Sequence, residues 1–184
     1  MSHELSSGIT MTAEELLRLD AGGRRTELVR GVLVVREPAG YQHGEVASEL
    51  ANRLTNHVKA GGLGRILAAE TGFKLVSAPD TVRAPDIAFV RTERLPTPPP
   101  AGFASFAPDF VVEVLSPGDR PGKVLAKVAD WLEAGTKLVW LVDPIRRLAR
   151  VYRADGAESL HGPDDALDGE DVVPGFRCPI AEIV

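Results

Sequence analysis

The chain has 184 residues, 44% of them hydrophobic and 26% charged, with a formal net charge of -5. That length suits one domain with a substantial core, and the composition is that of an ordinary globular protein. The single Cys178 excludes an intramolecular disulfide and a thiolate zinc cluster, and the acidic balance argues against tight sequence-independent binding of nucleic acid.

Neither a secretory signal nor a bilayer-spanning apolar run is present, so a cytoplasmic protein without a membrane anchor is expected. Residues 1–10 read as a disordered leader to a single domain over 11–184. Thr12-Ala13-Glu14-Glu15 is a capping box that opens a short helix to Leu19. Glu27 to Val35 reads as two short strands around Arg30-Gly31, and a helix is expected from His43 to Ala60, ending at Gly61-Gly62. Strand signals follow at Arg65–Val76, Val82–Val90 and Phe110–Leu115, with a stiff proline-rich loop, Leu95 to Pro100, before the last. Ser116 to Pro121 is a turn into a second long helix, with Asp119 as its expected N-cap and Gly135 at its end. Lys137–Val142 returns as a strand, whereas Leu148–Arg153 and Val172–Ile183 read as late, peripheral strands or turns. The order predicts an α/β domain with a mixed central sheet flanked by helices.

Two segments place carboxylates where burial is expected. Asp86 opens the apolar run Ile87-Ala88-Phe89-Val90, and Glu113 lies within Phe110 to Leu115; a buried charge is costly without a cation or hydrogen-bond partners. Asp109 and Glu113 share a strand face but stand roughly 13 Å apart, too far to share an ion. Adjacent strands lie about 4.8 Å apart, so in-register pairing would set Asp86 against Glu113 as a metal site. On the following helix Val124, Leu125, Val128, Trp131 and Leu132 form an apolar arc with Lys127 at its border. Its ammonium could reach the carboxylates along the core side, or it could be an ordinary surface lysine. The earlier helix turns Val46, Ala47, Leu50, Ala51, Leu54 and Val58 inward together with His43, and leaves Glu45 and Glu49 outside. Two carboxylates and a lysine are the minimum set for metal-assisted phosphodiester cleavage; the alternative is that Glu113 pairs with Lys127 or Arg83 as a structural ion pair only.

In this order and spacing, several pieces resemble the Uma family of putative restriction endonucleases, in the PD-(D/E)xK nuclease superfamily. They are Glu27 to Gly31, His43, Ala69 to Phe73, Val82 to Asp86, Val112 to Pro117, Lys127, Trp140 to Pro144 and Val173 to Phe176. The resemblance spans Met11 to the end and implies a restriction-endonuclease-like sheet flanked by helices, Mg²⁺ or Mn²⁺ as cofactor, and DNA as substrate. It assigns Asp86 and Glu113, with the carbonyl of Val114, to the metal and Lys127 to catalysis. The lysine stands on the helix, where the superfamily's usual strand position would be Leu115. His43, Glu27 and Glu70 are candidates for supporting metal contacts, and Arg120 and Lys123 for flanking phosphates. A homodimer that cuts two strands is the expected assembly. The alternative is a nuclease-fold protein that binds DNA or a protein partner without cutting.

Overall fold

The computed structural model describes residues 3–4, 10–19, 21–22 and 24–184. Of the leader expected to be disordered, 1, 2 and 5–9 lie outside the described residues, while His3–Glu4 form a short strand, β1. Helix α1 (Ala13–Arg18) begins at the expected capping box: the Thr12 hydroxyl accepts from Glu15 N–H, and the Glu15 carboxylate accepts from Thr12 N–H. Strands β2 (Arg25–Val29) and β3 (Val32–Arg36) then pair antiparallel from Arg25 opposite Arg36 to Val29 opposite Val32. Arg30 and Gly31 both have positive φ, 51° and 79°, the backbone that a tight hairpin turn requires.

Helix α2 (Tyr41–Gly61) starts two residues before the expected His43 and ends at Gly62, whose left-handed φ of 61° lets its N–H reach the Val58 and Lys59 carbonyls. The stretch expected as one strand over Arg65–Val76 is instead β4 (Gly64–Ala68) and β5 (Phe73–Val76), in different sheets. The chain turns between them at Glu70 (φ 72°), where the Thr71 hydroxyl donates to the Ala68 carbonyl. Val82–Val90 is likewise divided into β6 (Thr81–Arg83) and β7 (Ile87–Arg91). Pro85 lies in the break, and proline cannot donate to a ladder.

The remaining elements are β8 (Phe110–Val114), α3 (Pro121–Glu133), β9 (Leu138–Asp143), β10 (Leu148–Arg153), β11 (Glu158–His161), β12 (Ala166–Asp168) and β13 (Arg177–Pro179). The N-cap of α3 is Arg120, not Asp119. The Asp119 carboxylate turns back to accept from Ser116 N–H at 2.8 Å, closing the preceding turn.

The central sheet runs β11-β10-β9-β8-β7-β4, and a second sheet runs β1-β3-β2-β6-β5. Within the central sheet β8 and β9 pair parallel, joined by α3, and the other pairings are antiparallel. Strand β10 is therefore no peripheral element: it pairs along its whole length with β9, and Ala149 and Val151 are buried. Its alternate residues face outward, which makes it look peripheral when read alone.

Alternation along the strands gives each helix its own face of the sheet. Val46, Leu50, Leu54 and Val58 of α2 pack with Ile87, Phe89, Phe110, Val112 and Trp140, under a cover that includes Phe176 and Ile180. On the other face Val128 and Trp131 of α3 pack with Ala88, Val90, Val111 and Val139. Each fully buried large side chain contributes roughly 1.5–3 kcal/mol, enough to fix the strand register on which the acidic residues depend. Among the described residues, no helix is long and apolar enough to cross a membrane.

Candidate active site

Asp86 occupies the seam between the two sheets, since the link Ala84-Pro85-Asp86 carries the chain from β6 into β7. Strands β7 and β8 pair with Ile87 opposite Val112, so one further step along the same register sets Asp86 opposite Glu113. Period-two alternation puts Glu113 on the face with Val111, towards α3. The register thus brings Asp86 alongside Glu113 and leaves Asp109 at the other end of β8.

Every oxygen of the two carboxylates is engaged. Asp86 Oδ2 accepts from the Val114 N–H at 2.8 Å and lies 3.1 Å from His43 Nε2, and Oδ1 takes a guanidinium nitrogen of Arg25 at 3.1 Å. Glu113 Oε2 accepts from Lys127 Nζ at 2.8 Å and Oε1 from the Trp131 indole N–H at 2.9 Å. Burial alone would raise the Asp86 carboxyl, but the bond and charge of His43, the Lys127 ammonium and the Val114 amide outweigh it and hold the pKa down at about 2. Glu113 goes the other way. Burial pushes its pKa up, and the charges on Asp86 and Glu27 add to that rise against the opposing pull of Lys127.

Lys127 is buried on the inward face of α3 together with Val128 and Trp131. Leu125, expected on the apolar arc, is 51% exposed. The helix is rotated so that the lysine faces its acceptors. Its ammonium touches Glu113, the Ala84 carbonyl at 3.1 Å and Glu27 at 2.9 Å. Glu27 is the hub beneath the site, only 2% exposed. Besides Lys127 it meets Arg83 at 3.0 Å and Arg36 at 3.1 Å, and accepts from Ala84 N–H. Burial would raise its pKa too, yet these three cations and the amide hold it far below the usual carboxylate range. Arg83 is braced from its other side by Asp130, at 2.8 Å from Nε.

These groups line a cleft of about 640 Å³ between the two sheets and the start of α3. Arg120 and Lys123 stand exposed on its wall, and Glu70, on the exposed turn after β4, also lines it. The structure thus gathers Asp86, Glu113, Lys127, His43 and Glu27 into one cluster, with Val114 giving its N–H to Asp86. A strand residue directs its N–H and C=O to the same side, so the Val114 carbonyl also leaves β8 on the Asp86 side. Sequence reasoning missed Arg25, Arg36, Asp130 and the hydrogen-bonding role of Trp131. Two local spacings carry a signal for them: Arg25 is two before Glu27 on one strand face, and Trp131 is four after Lys127 on one helix face.

Among the described residues no three His, Cys, Asp or Glu side chains converge as a metal cage. Mg²⁺ does not need one, since it keeps several waters and takes one or two carboxylates. Two hard-oxygen donors across one strand pair, open to a cleft, fit such an ion by type and placement.

A mixed sheet with helices on both faces, and an acid pair and a lysine at the seam where two strands end, defines a restriction-endonuclease-like α/β protein. The chain belongs to the Uma2 family, described as putative restriction endonuclease, whose model matches residues 13–181. A crystal structure of a putative nuclease belonging to DUF820 from Anabaena variabilis has the same fold. It superposes with a TM-score of 0.83 at 23% identity, over 94% of this chain and 97% of that one. No curated protein matches.

Proposed function

We propose that this protein is a divalent-metal-dependent DNA endonuclease. The observation that carries the reading is the β7–β8 register, which sets Asp86 against Glu113 with the Lys127 ammonium 2.8 Å from Glu113. Family membership supports the reaction class. Asp86, Glu113 and the Val114 carbonyl would hold Mg²⁺ or Mn²⁺. A divalent ion there supplies a Lewis acid that polarises a phosphate oxygen and lowers the pKa of water.

The chain's own residues do the rest. His43 and the Val114 amide orient Asp86, and Trp131 fixes Glu113. Lys127, 2.8 Å from Glu113, would orient the attacking water or neutralise the charge that develops on the phosphate oxygens. Arg120 and Lys123 hold flanking phosphates, which gives the cleft a local basic wall despite the acidic whole. A homodimer would set one such site against each strand of a duplex.

Purified protein is expected to cleave plasmid DNA in Mg²⁺ or Mn²⁺ and not in EDTA. Cleavage should fall by at least a hundredfold in Asp86→Ala and in Glu113→Ala. Unchanged cleavage in either variant refutes the assignment. The second reading, a non-cutting binder of DNA or a partner, is favoured by the complete internal pairing of both carboxylates. Wild-type protein that binds DNA but cuts nothing, even in Mn²⁺, would establish it.

A further inference from the structure

We propose that Arg25 acts as a built-in stand-in for the metal ion: it neutralises Asp86 in the metal-free protein, and gives up that carboxylate for a DNA phosphate when the ion binds. The inference rests on the metal site proposed above and concerns how metal and DNA binding are linked.

Of the three groups on Asp86, two are fixed. The Val114 N–H is backbone, and His43 is buried within the first turn of α2. Arg25 is different. It is the first residue of β2, its side chain is 23% exposed, and it reaches Asp86 Oδ1 through one guanidinium nitrogen. That oxygen is the one not committed to the β8 backbone or to His43, and so the one available to an ion.

Surrounding charge determines where the guanidinium goes once displaced. In the hairpin register Arg25 stands directly opposite Arg36, a like-charge pairing that is unfavourable by itself. The pair is tolerated because Asp86 takes Arg25 while Glu27 takes Arg36. Among the described residues, Asp86 is the ion-pair partner of Arg25. An ion on Asp86 therefore removes the counter-charge of Arg25, adds a second cation beside it and leaves Arg36 across the hairpin. The long, partly exposed side chain can then turn outward into the cleft that it lines, where a phosphate of bound DNA would meet it. Metal binding would thereby convert a latent cation into a DNA contact.

Calorimetric titration of metal-free protein with Mn²⁺ tests the first half. Loss of a partly exposed ion pair is worth up to about 1 kcal/mol, or about fivefold. Arg25→Gln should therefore bind Mn²⁺ about fivefold more tightly, Arg25→Lys should stay near wild type because it keeps a competing cation, and Asp86→Asn should lose binding. Unchanged or weaker binding in Arg25→Gln overturns the swap while the metal site stands. Mn²⁺ binding that survives in Asp86→Asn removes the metal site, and the swap with it.

The second half is read from the salt dependence of duplex binding, by fluorescence anisotropy in Ca²⁺, an ion that takes oxygen donors, and in EDTA. Each phosphate contact contributes about 0.9 to the slope of log affinity against log salt. Arg25→Gln should flatten the slope by about one in Ca²⁺ and leave it unchanged in EDTA. Equal flattening in both conditions would mean that Arg25 contacts DNA without metal, and overturns the proposal. Arg25→Lys, which preserves charge at the strand end, separates these effects from a general loss of folding.

Discussion

Two buried carboxylates bracket β8, and their surroundings differ in kind. Asp109, just before the strand, has one oxygen on Arg94 at 2.7 Å and the other on the Arg91 N–H at 3.0 Å. Glu113, near the far end, shares its lysine with Glu27 and faces Asp86 across the register. At the first end one acid meets one guanidinium and one amide, and the account closes locally. At the second, Glu27, Asp86 and Glu113 are interleaved with Arg25, Arg36, Arg83 and Lys127. Lys127 bridges Glu27 and Glu113, Arg83 bridges Glu27 and Asp130, and Arg36 lies between Glu27 and Asp119. Both ends obey the rule that a buried charge needs partners. Crowding of several acids around shared cations sets the second end apart from the first, where a single acid has its own guanidinium and amide.

The sharpest way to break this contrast is at Glu27. It binds three cations and an amide while almost fully buried. Removing one partner of a buried ionic network typically costs 3–5 kcal/mol. Glu27→Ala should therefore lower stability by about 3–5 kcal/mol in denaturant titration, with a melting temperature lower by roughly 10 °C for a chain of this size. A loss under about 1 kcal/mol would show that Lys127 and Arg83 are held well enough by Glu113 and Asp130, and the cluster would have no hub.

The next effect is pH-dependent and is measured in EDTA. With its pKa held at about 2 against an ordinary 3.8, Asp86 contributes stability that is fully present above pH 4 to 5 and is lost as pH falls through 2. The difference corresponds to about 2 kcal/mol. Glu27 acts in the same direction. Glu113 acts oppositely: its raised pKa means that its contribution to stability falls as pH rises past the ordinary carboxylate range. The stability gap between wild type and Asp86→Asn should therefore shrink by about 2 kcal/mol from pH 5 to pH 2. A gap that stays constant would mean that His43, Lys127 and the Val114 amide do not favour the ionised form.

How much of this was legible in the sequence follows the range of the interactions. The capping box at Thr12, the Arg30-Gly31 turn and the glycine end of α2 are local and were readable. So was the Asp86–Glu113 pair, because alternation and one assumed register sufficed. Lys127 followed from the helical wheel, though its near-complete burial did not, since a wheel treats lysine as a solvent-seeking residue and knows nothing of Glu27. The strand breaks at Glu70 and Pro85 were missed because one apolar run looks alike whether it stays in a sheet or crosses to another. Arg25 was missed because its partner lies 61 residues away, joined through a sheet seam that no periodicity marks.

The smallest expected effect sharpens the comparison most cleanly. Asp109→Asn keeps the shape of the residue and removes its charge at the structural end of β8. Arg94 is 38% exposed at its side chain, so water replaces part of what the ion pair supplied, and the amide oxygen can still accept from the Arg91 N–H. The Asp109 main-chain carbonyl, which accepts from Lys137 and Leu138 N–H, is untouched, so the parallel β8–β9 start stays formed. The loss should be about 1 kcal/mol, measured by denaturant titration. Mn²⁺ affinity and cleavage should match wild type, since roughly 13 Å of strand separates this carboxylate from Glu113. Impaired metal binding in Asp109→Asn would mean that the two ends of β8 are coupled through the strand, and that its buried acids form one system.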